Sequence, residues 1–270
     1  MKTARQFASS IILRSGEPKV SKSTQIAAHR GGAQLWPENS RVAFRNAAKM
    51  DVDFIEFDVH RTRDGVLTVH HDAVLGRTCE GEGAIADMEW SSLRHRRLHD
   101  TDGETIPTLP EVLDILARGR PGLRLEVKYK KDRSRYLGIE SEVLSMLGER
   151  GVRHRTTITA FDLEVLRTIA RLSSDSPTIH LIRSDEYYAG GREIRECARK
   201  AKDAGTGEIA LRIEDIREGD AEQCRAVGVA LGAYAANDLP AIEKAFELGV
   251  SVFTTDRPDL AILVRHGRYC

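Results

Sequence analysis

Short apolar runs rich in β-branched residues alternate with longer segments of helical periodicity along most of the chain. The strand-like runs are QIAAH (25–29), DFIEFDV (53–59), LRLEVK (123–128), TTITA (156–160), TIHLI (178–182), EIALR (208–212), VALGAY (229–234) and VSVFTT (250–255). Helical patterns fall near 40–50, 108–118, 136–150, 162–171, 191–204, 216–226, 238–248 and 257–265. Eight strands, each followed by a helix, predict an α/β protein of the closed, parallel (β/α)8 TIM-barrel kind. No Gly-rich phosphate loop opens a helix after any strand, which removes the main reason to prefer an open, doubly wound sheet.

One interval breaks the rhythm. About 50 residues separate the second strand from its helix, far more than a usual βα loop. The interval starts with RTRDGVLTVHHD (61–72), in which Asp64-Gly65 predicts a hairpin turn into a short β segment. It continues as a Gly- and charge-rich stretch, read as a small insertion at about 73–105 on the C-terminal face of the barrel, where active sites lie. Residues 1–24 carry no core pattern and are expected to form a loosely held arm before a barrel spanning 25–270.

Strand parity then exposes the chemistry. In FIEFDVH (54–60), Ile55, Phe57 and Val59 share one face, while Phe54, Glu56 and Asp58 share the other. The third strand repeats this, with Leu123, Leu125 and Val127 opposite Arg124, Glu126 and Lys128. The first ends at His29-Arg30. Polar groups thus gather at the C-terminal ends of three neighbouring strands. Glu56, Asp58 and Glu126 repel one another unless a cation sits among them, and an all-oxygen set favours Mg²⁺ or Ca²⁺ over zinc. The competing reading is that these acids only pair with Arg30, Arg124 or Lys128. His29, and one of His70 and His71, are candidates for proton transfer. Parity does not choose between the last two.

Composition narrows the partners. Lys+Arg and Asp+Glu both number 41 in 270 residues, which excludes a diffuse, strongly basic nucleic-acid surface. Four scattered cysteines without metal-site spacing are expected to be reduced thiols. No apolar stretch approaches the roughly 20 residues of a membrane span, so a soluble, cytoplasmic protein without stable membrane insertion is expected. A homo-oligomer is left open.

The segments AHRGGAQLWPENSRVAF (28–44), FIEFDVHRTRDGVLTVHHD (54–72), RT (77–78), IPTLPEVL (106–113), LEVK (125–128) and FTTDRPD (253–259) resemble the glycerophosphodiester phosphodiesterases. The resemblance runs in order from residue 26 to about 260 and implies a TIM barrel with an insertion after strand two. It implies metal-dependent hydrolysis of a small-molecule glycerophosphodiester to an alcohol and sn-glycerol 3-phosphate, and a route in which the substrate's own neighbouring hydroxyl attacks to give a cyclic phosphate that water then opens. By the same resemblance, His29 and His71 match the catalytic pair, and Glu56, Asp58 and Glu126 the ligands of Mg²⁺ or Ca²⁺. Arg30 and Lys128 match phosphate contacts, Glu38 and Asn39 supporting positions, and Phe161 an aromatic of the pocket. His70 is then left without a part in the chemistry, and His70→Ala is expected to be nearly silent. Ser40, Ala160 and Tyr234 depart from the usual Thr, Ser and Trp, which touches the side that receives the leaving alcohol or the glycerol moiety. Tyr234, YYAGG (187–191) and the insertion are expected to shape that pocket. Rival readings are a relative acting on a sugar or opine-like diester or a lysophospholipid, a cyclising lyase, and an inactive binding barrel.

Overall fold

A computed structural model describes residues 24–267. The expected N-terminal arm lies outside them, apart from Thr24. The strands are β1 (Gln25–Ala28), β2 (Phe54–Arg61), β3 (Leu67–Val69), β4 (Gly122–Val127), β5 (Thr156–Ala160), β6 (Thr178–Leu181), β7 (Glu208–Arg212), β8 (Ala230–Tyr234) and β9 (Val252–Thr255). All but β3 run parallel, and β1 pairs with β2 on one side (Ala27 opposite Phe54) and with β9 on the other (Ala27 opposite Thr254). That double pairing closes an eight-stranded (β/α)8 barrel. β3 is the return arm of the Asp64-Gly65 hairpin, antiparallel to the end of β2.

The helices are α1 (Arg41–Ala47), α2 (Trp90–Leu93), α3 (Leu109–Leu116), α4 (Ile139–Glu149), α5 (Leu163–Leu172), α6 (Ser184–Ala189), α7 (Ile194–Asp203), α8 (Asp220–Arg225), α9 (Leu239–Glu247) and α10 (Pro258–Arg265). Their starts are written in the side chains. Thr108 and Glu111 form a reciprocal capping box on α3, and Ser40, Asp162 and Asp238 cap α1, α5 and α9. Residues on the outer face of each strand pack under this layer, as Phe57 does edge-on against Phe44 at 5.9 Å. The helix expected at 191–204 is α7, and a further short helix, α6, stands before it, separated by a turn at Gly190–Glu193.

Between β3 and α3 the chain builds a compact excursion of isolated bridges, a 3-10 turn (Ile85–Asp87) and α2. It carries a small core of its own, Leu75, Cys79, Ile85, Leu93, Leu98 and Ile106. Among the described residues no helix is long and apolar enough to cross a membrane.

Candidate active site

Register places the acids. Asp58 lies opposite Glu126 on β4, and Glu56 lies one inward-facing position deeper, opposite Arg124. All three are buried, and one oxygen of each falls within 4.8 Å of the others. Like charges this close cannot all ionise without help. Burial, then the Asp58 charge, pushes the Glu56 carboxyl up to about 8. Burial also raises Glu126, against the pull of Lys128. Asp58 goes the other way: although burial opposes it, Lys128 and Arg30 hold its carboxyl well below the usual carboxylate range.

The protein's own cations satisfy the triad only in part. Lys128 Nζ donates to Glu126 Oε1 at 2.7 Å and lies 3.0 Å from Asp58 Oδ1. That contact lacks hydrogen-bond geometry, so Asp58 Oδ1 is a buried oxygen with no donor. The other oxygen, Oδ2, accepts from Asn39 Nδ2 at 2.7 Å and lies 3.3 Å from Arg30 Nε. A buried carboxylate oxygen left without a hydrogen bond among the described residues, in a cluster of three converging acids, is a place a cation could fill, and the all-oxygen set fits a hard divalent ion.

The turn after β1 brings Arg30 into place. Gly31 has φ +82°, and a Cβ there would lie 2.9 Å from Ala43 Cβ, so only glycine lets the turn pack on α1. Arg30 itself takes φ +51°, with its N–H donating to Glu56 Oε2 at 3.1 Å and its guanidinium to Glu38 Oε1 at 2.9 Å. Glu38 in turn accepts two hydrogen bonds from Arg77, at 2.7 and 2.8 Å.

Both candidate histidines are held at Nδ1 by an aspartate. His29 meets Asp256 Oδ1 at 2.6 Å, and His71 meets Asp72 Oδ1 at 2.6 Å. Nε2 of His29 faces the triad, 3.9 Å from Glu56 Oε2. The two aspartates differ in their other partners. Asp256 Oδ2 accepts from the neutral Asn237 amide at 2.7 Å, whereas Asp72 is clasped by the Arg77 guanidinium at 2.6 and 3.1 Å. Burial pulls the His29 imidazole down, but the Asp256 hydrogen bond and the Glu56 and Asp256 charges outweigh it against Arg30, and its pKa is raised. Burial, with Lys128 and Arg30, brings His71 down to about 4, against the Asp58 charge and the Asp72 hydrogen bond.

His29, Arg30, Glu56, His71, Glu126, Lys128, Phe161 and Tyr234 line one cavity of about 350 Å³ at the barrel mouth. Asp58, Glu38 and Asn39 stand directly behind its wall. Phe161 and Tyr234 meet edge to face at 6.2 Å. Two expectations need correction. YYAGG does not line this cavity: Tyr187 is buried under α6, and the Tyr188 hydroxyl donates to Asp215. The excursion at 73–105 supplies no lining residue and acts at one remove, through Arg77. His70 is buried and outside the cavity lining, with Nδ1 on the Asp72 carbonyl at 2.9 Å and Nε2 on Thr78 Oγ1 at 3.0 Å, so it ties down the turn that carries His71.

Sequence reasoning passed over Asp256, Asn237, Asp72 and Arg77, and also His60. That last ring bridges the Tyr136 hydroxyl (2.9 Å) and the His71 carbonyl (3.1 Å). A carbonyl only accepts, so Nε2 must carry the proton, and burial drives the His60 pKa down to about 3.

The Glycerophosphoryl diester phosphodiesterase family matches residues 29–260. A Glycerophosphodiester phosphodiesterase of Bacillus altitudinis is 28% identical over 251 residues, covering 90% of this chain and 98% of its own. A solved structure from Agrobacterium tumefaciens str. C58, assigned as a glycerophosphoryl diester phosphodiesterase, shares 31% identity with a TM-score of 0.86, over 90% of this chain and 98% of its own. An Oleispira antarctica phosphodiesterase, solved in complex with the product sn-glycerol-3-phosphate, has the same fold at 21% identity and a TM-score of 0.74, over 90% and 96%. The chain belongs to the glycerophosphoryl diester phosphodiesterase family.

Proposed function

We propose that this phosphodiesterase hydrolyses glycerophosphodiesters to an alcohol and sn-glycerol 3-phosphate, with Glu56, Asp58 and Glu126 holding one Mg²⁺ or Ca²⁺. The observation that carries this reading is the convergence in one cavity of a buried acidic triad with two aspartate-held histidines. The product bound to the Oleispira antarctica relative supports the choice of substrate class.

A divalent cation at the triad supplies charge stabilisation to the phosphate oxygens and fixes the diester's orientation. Arg30 and Lys128 border the same cavity and add positive charge where the transition state gains negative charge. Asn39 and Glu38 keep Asp58 and Arg30 in position. His71 is the neutral partner and takes the proton of the attacking oxygen. His29, backed by an aspartate that no other cation neutralises among the described residues, carries the proton given to the leaving alkoxide.

Incubating the purified protein with a panel of glycerophosphodiesters and Mg²⁺ or Ca²⁺, followed by phosphorus NMR, tests this. Release of sn-glycerol 3-phosphate with the free alcohol is expected. A cyclic phosphate as the sole end product would make the enzyme a lyase, and no turnover of any glycerophosphodiester would overturn the reading.

A further inference from the structure

The two sides of the barrel-mouth cavity differ in charge. Around β1, β2 and β4 the lining is crowded with ionised groups that answer one another. Around β5 to β8 it is Thr159, Phe161, Leu181, Ala210, Arg212 and Tyr234, with small alanines between. Among the described residues no carboxylate lines this second side, and Arg212 is its one charge.

Arg212 ends β7 with its side chain half exposed. Among the described residues its one side-chain partner is Glu214, which accepts from Nε at 3.1 Å and lies outside the cavity lining. The terminal guanidinium nitrogens remain for a ligand. A second cation, Arg183, sits 5.9 Å from the Phe161 ring centre without lining the cavity, so that ring already has a cation beside it. The Tyr234 hydroxyl is spent on the Ile182 carbonyl at 2.9 Å. Deeper in, Thr159 is 2% exposed and its Oγ1 has no partner among the described residues, an orphaned hydroxyl in the cavity wall. Such a group is normally satisfied by a hydroxyl or water that belongs to the site.

We infer that the alcohol portion of the substrate lies over β5–β8 and is a neutral polyol or an anionic head group, with Arg212 excluding cationic ones such as choline and Thr159 binding a head-group hydroxyl. This rests on the proposed glycerophosphodiesterase activity and goes on to choose among its substrates. The electrostatic part is a like-charge penalty on cations and a gain for anions, moderated because Arg212 is half exposed.

The test is kcat/KM for glycerophosphoinositol, glycerophosphoserine and glycerophosphocholine at low and high salt, on the wild type and on Arg212→Gln, Arg212→Lys and Thr159→Val. The wild type should favour the inositol diester over the choline diester by roughly five- to tenfold at low salt. That ratio should shrink with salt, collapse in Arg212→Gln and persist in Arg212→Lys, which keeps the charge. Thr159→Val should lower the inositol-to-choline ratio as well. Turnover with no preference, a preference for choline, or a ratio that Arg212→Gln leaves intact would overturn the inference while the activity itself stands. No turnover of any of the three would instead strike the proposed function.

Discussion

His29 and His71 begin alike and diverge one neighbour further out. Each imidazole holds a carboxylate 2.6 Å from Nδ1, each lines the cavity, and each leaves Nε2 for chemistry. Behind His29 the aspartate leans on a neutral amide; behind His71 it is already matched by an arginine. In the proposed division of labour the first ring carries a proton and the second accepts one. The surroundings that separate them, Arg77 behind Asp72 and Lys128 and Arg30 beside His71, lie far from either histidine in sequence or belong to other strands, so a residue-by-residue reading leaves the two indistinguishable.

The largest way to break this comparison is to remove either ring. His29→Ala and His71→Ala should each lose roughly 10²–10⁴ in kcat toward a glycerophosphodiester with an alkyl leaving group. The two should part company on a p-nitrophenyl diester, whose leaving group needs no proton. His29→Ala should recover most of its loss there, and His71→Ala should not. The reverse pattern would exchange the two roles.

A smaller perturbation acts on the aspartates. Asp256→Asn removes the charge behind His29 and should cost about 10- to 100-fold. It should also move the alkaline limb of the kcat/KM profile to lower pH, since the imidazolium becomes easier to deprotonate. Arg77→Gln leaves Asp72 unmatched and strengthens its pull on the His71 proton, which should raise the His71 pKa above about 4, while burial, Lys128 and Arg30 continue to hold it down. Because the base must be neutral, the acidic limb should then move to higher pH. Shifts of the same limb in both variants would contradict the division of labour.

The smallest effect on the chemistry is expected at His70, whose two ring bonds tie down the Asp72 turn. His70→Ala should lose about 1–3 kcal/mol of stability through the partners it leaves unsatisfied. Urea denaturation checks this, and wild-type stability would show those bonds to be unimportant.

The strand order, the helix positions and the acidic face of FIEFDVH are legible in the sequence because side-chain parity in a strand is a local rule. So is the convergence of β1, β2 and β4, because neighbouring strands of a barrel end on the same face. The His29–Asp256 pair is not, since 227 residues separate its members and only the pairing of β1 with β9 brings them together. Arg77 was hidden for a related reason: it reaches Glu38 from an excursion whose irregular path no periodicity reports. YYAGG misled because aromatic and glycine content suggests a pocket, whereas α6 turns the two tyrosines toward the core and Asp215.

Cation dependence of hydrolysis bears most directly on the central claim. The protein, dialysed against chelator, is assayed for sn-glycerol 3-phosphate release while Mg²⁺ or Ca²⁺ is added back, with Asp58→Asn and Glu126→Gln alongside. Activity should vanish in chelator, return with the added ion, and return weakly or not at all in the two variants. Full turnover in chelator, or variants restored at the same ion concentration as the wild type, would contradict the assignment of Glu56, Asp58 and Glu126 as the cation site.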